Sequence, residues 1–144
     1  MSILDNKLKF SDQQAITAAA ASTNVLDMGA ARDLGTGTPL YVCLNVDETF
    51  DDTGDNTTYE VKLQTDDDEA FGSATDAQVL FTLAANLAAG SKKCMPLAPG
   101  LVNERYLRLY FTPTNGDASA GKVTAFLTDS YEVYRAFADN IPTI

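Results

Sequence analysis

Residues 105–129 constrain the fold more than any other stretch of this chain. Arg105-Tyr106-Leu107-Arg108-Leu109-Tyr110-Phe111-Thr112 alternates its side-chain types, Pro113-Thr114-Asn115-Gly116-Asp117 carries the chemistry of a reversal, and Gly121-Lys122-Val123-Thr124-Ala125-Phe126-Leu127-Thr128 alternates again. A period of two sends successive side chains to opposite faces, and an Asn-Gly pair accepts the left-handed backbone that tight turns need. The pattern predicts two antiparallel strands joined as a hairpin. It offers a β framework and surfaces, and no recognisable chemistry.

The same alternation recurs upstream. Residues 39–47 place Leu40, Val42, Leu44 and Val46 on one face and Tyr41, Cys43, Asn45 and Asp47 on the other. Residues 58–64 direct Tyr59, Val61 and Leu63 inward and Glu60, Lys62 and Gln64 outward, the signature of a sheet with one wet face. Between these strands the acidic residues 48–56, with Gly54, read as a hairpin loop. Further candidates at 77–83, 92–97, 14–21 and 24–28 bring the expected number to about eight, with turn signals spaced as in sandwiches and barrels. The expected fold is all-β, an antiparallel β-sandwich.

Two segments compete with that reading. Ser11-Asp12-Gln13-Gln14 before an alanine-rich run resembles a capping box. Ile16, Thr17, Ser22, Thr23 and Val25 dilute the helical propensity and leave no apolar stripe, so a strand is favoured over residues 14–21. Residues 83–90 are expected to be a loop with one helical turn closed by Gly90.

The 144 residues suffice to bury about 68–70% of the unfolded chain's surface without staples. No apolar run reaches the length of a membrane helix and no secretory signal opens the chain, so synthesis in the cytoplasm is expected. Twenty acidic against ten basic residues give a net charge of −10, which repels phosphate backbones and anionic lipid headgroups; neither nucleic acid nor membrane is an expected partner. Cys43 and Cys94 form no CxxC motif and read as reduced, half-buried thiols rather than a disulfide. The chain has no histidine, which removes Ser-His-Asp and Cys-His catalysis, His-containing zinc sites and the usual proton carrier near neutral pH. No enzyme is expected, and no catalytic residue, cofactor or metal.

Several local motifs have bland readings. Asp52-Thr53-Gly54 is the aspartic-protease triplet, but Asp51 and Asp55 flank it where that motif has an apolar strand and a small residue, so a solvated loop tip is expected. Asp66-Asp67-Asp68-Glu69 and the acids at 47, 51, 52 and 55 would make a calcium site only if two loops converged, and their spacing does not match the twelve-residue calcium loop. That acidic run leads into Phe71, placed to plug a sheet end. Asn56-Thr57-Thr58 is a sequon without a secretory signal, and Gly35-Thr36-Gly37-Thr38 a turn without the lysine of a phosphate cradle. Arg32, Arg105 and Arg108 read as ion-pair or interface residues, Arg108 sharing a face with Tyr106 and Tyr110.

The chain divides into an N-terminal arm (1–12), a sandwich domain (13–129) and a C-terminal tail (130–144). The extremities carry Ile3, Leu4, Leu8 and Phe10, and Tyr131, Val133, Tyr134, Phe137, Ile141 and Ile144, too many apolar side chains for solvated tails. Two readings stand: they cover the domain's own sheets, or they dock on another subunit. The expected interface residues are Ile3, Leu4, Arg32, Arg108, Tyr131, Tyr134, Phe137, Ile141 and Ile144.

Residues 1–15, the stretch Ala31-Arg32-Asp33-Leu34-Gly35-Thr36-Gly37-Thr38-Pro39-Leu40-Tyr41, the turn Gln64-Thr65-Asp66-Asp67-Asp68-Glu69-Ala70-Phe71, and residues 104–112 with 121–127 resemble a family of small tailed-phage virion proteins. The resemblance is to capsid cement, or decoration, proteins of the Bordetella-phage type. It implies a jelly roll, a homodimer, and a seat on the outer surface of a virion shell where the chain would bridge major capsid proteins. The rival expectation is a carbohydrate-binding β-sandwich of a phage tail or fibre.

Overall fold

The computed structural model describes residues 5–34 and 37–129. Its strands are β1 (Lys9–Ala15), β2 (Ala20–Ala21), β3 (Leu26–Asp27), β4 (Tyr41–Asp51), β5 (Thr58–Asp66), β6 (Thr75–Leu83), β7 (Lys92–Pro96), β8 (Tyr106–Thr114) and β9 (Ala120–Thr128). Among the described residues no α-helix forms, and no helix is long and apolar enough to cross a membrane.

Two antiparallel sheets result, one in the order β1-β9-β4-β7 and one in the order β2-β8-β5-β6, with β3 also on β8. Strands β2 and β3 are two pieces of one edge strand. Between them buried Ser22 keeps the ladder closed, its amide donating to the Leu109 carbonyl at 2.8 Å and its hydroxyl accepting from the Leu109 amide at 3.0 Å. Counted this way, the first strand pairs with the last, the second with the second-last, and so inward to the adjacent pair β5 and β6. A chain doubled on itself and then rolled into two layers is a jelly roll.

The layers meet in one apolar core. Val42, Leu44, Val46, Val123, Ala125 and Leu127 face in from the first sheet, and Tyr59, Val61, Leu63, Leu107, Leu109 and Phe111 from the second. Along β6 a register shift between Val61 and Lys62 of its partner accommodates one extra residue, so Leu80 and Phe81 are both buried while Val79 is exposed.

Several sequence expectations are corrected. Strands β8 and β9 form where expected but do not pair: β8 lies in the second sheet and β9 in the first, so the Asn115–Gly116 turn crosses between layers. The loop after β4 does the same and is no hairpin either. Both turn residues take positive φ, 70° and 106°, a conformation that serves a crossing as well as a hairpin; strand partners are chosen by burial of both sheets, not by the turn. Residues 83–90 make turns but no helical turn, with Asn86 and Gly90 at positive φ. Residues 14–21 are not one strand: β1 ends at Ala15, after Gln13 at φ 48° and two register shifts, and the chain bends before β2. Strand β1 opens at Lys9, inside the segment read as an arm.

The reading of the cysteines is corrected as well. Cys43 and Cys94 are joined by a disulfide between register partners on β4 and β7. Their separation of 51 residues carries no local signal, and only the β4–β7 pairing sets them face to face.

Candidate functional site

The outer face of the second sheet collects the planar and charged side chains. Alternation on β8 buries Leu107, Leu109 and Phe111 and leaves Tyr106, Arg108 and Tyr110 half-buried on the outside. Opposite them β5 presents Glu60, Lys62 and Gln64, with Gln64 as the register partner of Arg108 and Lys62 that of Tyr110.

Arg108 is the centre of this face. Its guanidinium carbon lies 4.3 Å from the Phe71 ring centroid and 5.6 Å from that of Tyr110. Its Nε donates to Gln64 Oε1 at 2.8 Å. Gln64 in turn donates through Nε2 to Asp76 Oδ1 at 2.8 Å, and Lys62 Nζ reaches Asp76 Oδ2 at 3.1 Å and Glu60 at 3.3 Å. Hydrogen bonds to Gln64 and Lys62 hold the Asp76 carboxyl below its ordinary range. A guanidinium fixed on one edge and held near two rings keeps its orientation, so it loses little freedom when a partner docks.

Phe71 reaches Arg108 because of the acidic loop before it. The Asp66 carboxylate is buried and accepts from the Asp68 amide at 3.0 Å and the Ser73 amide at 2.8 Å, folding residues 66–73 back on the sheet. Those amides, with the positive charge of Arg108, lower its pKa against the opposing effect of burial. Phe71, at φ 54°, is buried at the crest of that turn. The run of acids thus contains a buried carboxylate that delivers a ring to an arginine, and Phe71 packs against Arg108 on the outer face of the sheet.

Arg105 continues the cluster. Its Nε and a terminal nitrogen donate to the two oxygens of Asp27 at 2.7 and 2.9 Å, a bidentate pair that ties β8 to β3, and its guanidinium carbon lies 5.0 Å from the Tyr106 ring. That pairing, with the Gly29 amide, lowers the Asp27 pKa to about 2.

The start of β1 and the end of β9 lie at this same pole. Lys9 at the start of β1 is opposite Phe126 near the end of β9, and Thr128 is opposite Tyr41 at the start of β4. In the second sheet the corresponding end carries Asp66 opposite Tyr106 and Asp27 opposite the same tyrosine. A groove of about 520 Å³ is lined jointly by Lys7 and Lys9 from the entering chain and by Asp27 and Glu69. The crossing loops, 52–57 and 115–119, occupy the far pole.

There Asp52 is buried, not the solvated tip the sequence suggested. Its carboxylate accepts from the amides of Gly54, Asn56 and Thr57 at 3.2, 3.2 and 3.4 Å. Burial pushes its pKa up, but these donors outweigh it and the net shift is downward. Strand β5 stands between this loop and the Asp66 loop; its nine residues span about 30 Å, so Asp52 and Asp67 cannot act as a carboxylate pair, nor can the two acidic loops share a cation. Among the described residues no group of three or more Cys, Asp or Glu side chains is placed to hold a metal ion.

Of the expected interface residues, Arg108 lies at the centre of the cluster and Arg32 in an exposed irregular segment after β3, outside it. Ile3, Leu4, Tyr131, Tyr134, Phe137, Ile141 and Ile144 lie outside the described residues. Gln64, Asp76 and Asp27 were missed as supports: alternation shows that Gln64 faces outward, but nothing local ties it to Arg108.

The Bbp16 family model matches residues 10–127. The chain belongs to the Bbp16 family. This is a family of Bordetella-phage proteins, and the match spans the jelly roll from the second residue of β1 to the penultimate residue of β9. No curated protein matches this Bbp16-family chain.

Proposed function

We propose that this Bbp16-family chain is a capsid cement protein: it sits on the outer surface of the virion shell and bridges neighbouring major capsid proteins, acting as a homodimer. The observation that carries the reading is the convergence at one pole of the Arg108–Phe71–Tyr110 cluster, the Arg105–Asp27 pair, the start of β1 and the end of β9. Arginine and aromatic side chains held on a rigid sheet are the usual anchors of a protein interface. The net charge of −10 suits a basic patch on a shell exterior and opposes packing against DNA.

The mechanism is mechanical and has no catalytic step. A rigid sandwich bound to two shell subunits forces both sets of contacts to break before the subunits part under internal pressure. Because a dimer holds two such sites at high effective concentration, each contact need only be modest. Nucleic acid and lipid take no part.

Particles with and without the protein, heated while DNA release is followed, test this directly. Decorated shells should release DNA at a higher temperature and carry hundreds of copies of the chain. Equal release temperatures would refute the reading, and a handful of copies per virion with retention on a glycan array would move it to a carbohydrate-binding tail module.

A further inference from the structure

We infer that Cys43 and Cys94 form a two-stage latch: a dithiol when the chain folds in a bacterial cytoplasm, and a disulfide closed after release, with Cys94 reacting first and Cys43 resolving. The inference rests on membership of a phage family and not on the cement reading.

The fold does not depend on the bond. The continuous core of the two sheets contains neither sulfur, and β4 is held on both sides, by β9 and by β7, without it. Strand β7 is less secure. It has five residues, and among the described residues it forms the edge of its sheet, ladders only with β4, and is flanked by irregular segments. Just beyond the ladder, backbone bonds from the Val46 amide to the Ser91 carbonyl at 2.9 Å and from the Leu97 amide to the Leu40 carbonyl at 2.8 Å flank it, and the Gln78 side chain holds the C-terminal end, donating to the Pro96 carbonyl at 3.1 Å and accepting from the Ala98 amide at 2.9 Å. A bond from the centre of β7 to Cys43, near the start of β4, therefore adds a covalent tie to a short edge strand. It also closes a covalent loop around β5 and β6.

The two thiols differ in access. Cys43 is fully buried, on a strand hydrogen-bonded along both edges, whereas Cys94 is partly exposed on the edge strand. A reducing cytoplasm keeps such pairs as thiols, and the cell exterior does not. With a small-molecule disulfide as oxidant, the Cys94 thiolate attacks one of its sulfurs and expels one small thiolate. The Cys43 thiolate, placed opposite by the register, then attacks the Cys94 sulfur and expels the second. Two cysteine protons are lost and the oxidant becomes two thiols, so the exchange balances.

The test uses the full chain expressed in a bacterial cytoplasm, quenched in acid and alkylated, against the same protein after the cleared lysate has stood with glutathione disulfide. Two alkylated cysteines in the cell and none afterwards are expected. A bond already present in the quenched cells, or two free thiols after oxidation, overturns the proposal. The order of attack is read from single variants shown by circular dichroism to be folded: Cys43→Ser should trap a glutathione adduct on Cys94, and Cys94→Ser should modify Cys43 at least about tenfold more slowly, since thiol exchange follows access. Equal rates would overturn the assigned roles.

Discussion

The ring of Phe50 lies directly over the α-carbon of Gly121: a β-carbon built on that glycine would fall within 2.8 Å of three ring atoms. Gly121 also has φ 145°, so both space and backbone require glycine there. The ring continues into Tyr59 at a centroid distance of 5.6 Å, and the Tyr59 hydroxyl accepts from the Ala118 amide at 3.1 Å. Glycine, ring, ring and loop thus join the two sheets at the pole of the crossing loops.

Gly121→Ala should lower stability by about 1–3 kcal/mol, the range for overpacking a filled core, measured by denaturant unfolding. Phe50→Leu should cost on its own, yet the double variant should lose less than the sum, because the smaller side chain vacates the space the new methyl needs.

Ser22→Ala should cost about 1–3 kcal/mol, because the Leu109 amide, buried in the sheet, then loses its acceptor. Ser22→Thr keeps the oxygen and should cost less. Thermal unfolding of the pair separates the hydrogen bond from the change in side-chain volume.

Acid should destabilise the fold through a small set of carboxylates. Asp27, Asp52 and Asp66 all have folded pKa values below their ordinary 3.8, Asp27 at about 2. A depressed folded pKa gives stability that is fully present above the unfolded value and lost as pH falls through the folded one. Unfolding midpoints should therefore hold down to about pH 5 and fall between about pH 4 and 2. Asp52→Asn should shrink that acid-dependent fall, and an unchanged profile would show that the three amides do not favour the charged form.

Arg108→Ala should weaken binding to shells by roughly thirtyfold, about 2 kcal/mol, as expected for a central arginine anchor, while leaving the unfolding temperature nearly unchanged. Arg108→Lys should recover little, since a lysine cannot lie flat between Phe71 and Tyr110 and still donate to Gln64. Sedimentation of variants with undecorated particles gives the measurement.

Replacing both cysteines by serine should lower the stability of the oxidised protein by about 2–4 kcal/mol, the usual effect of opening a loop of this length. Adding a reductant to the wild type should produce the same loss, and should leave the double variant unaffected.

What the sequence disclosed depends on how far each signal reaches along the chain. The inward and outward faces of β5 are written in Tyr59, Val61, Leu63 against Glu60, Lys62, Gln64, because a one-faced strand is a local pattern. The Arg108–Tyr110 grouping is legible for the same reason. Which strand lies beside which is not local: Asn115 and Gly116 fit a hairpin and a crossing equally, and Cys43 meets Cys94 only once β7 has found β4. Buried carboxylates were hidden for a related reason. Asp52 and Asp66 differ from their exposed acidic neighbours in being buried and in each accepting from two or more amides that the loop itself brings together.

The pairing of the first strand with the last has a practical side. Cargo inserted immediately before β1 or immediately after β9 would be delivered to the pole that bears Arg105, Phe71 and Arg108, and would crowd it. Cargo intended for display belongs instead in the turn at Asn115 and Gly116, whose exposed backbone points away from that pole.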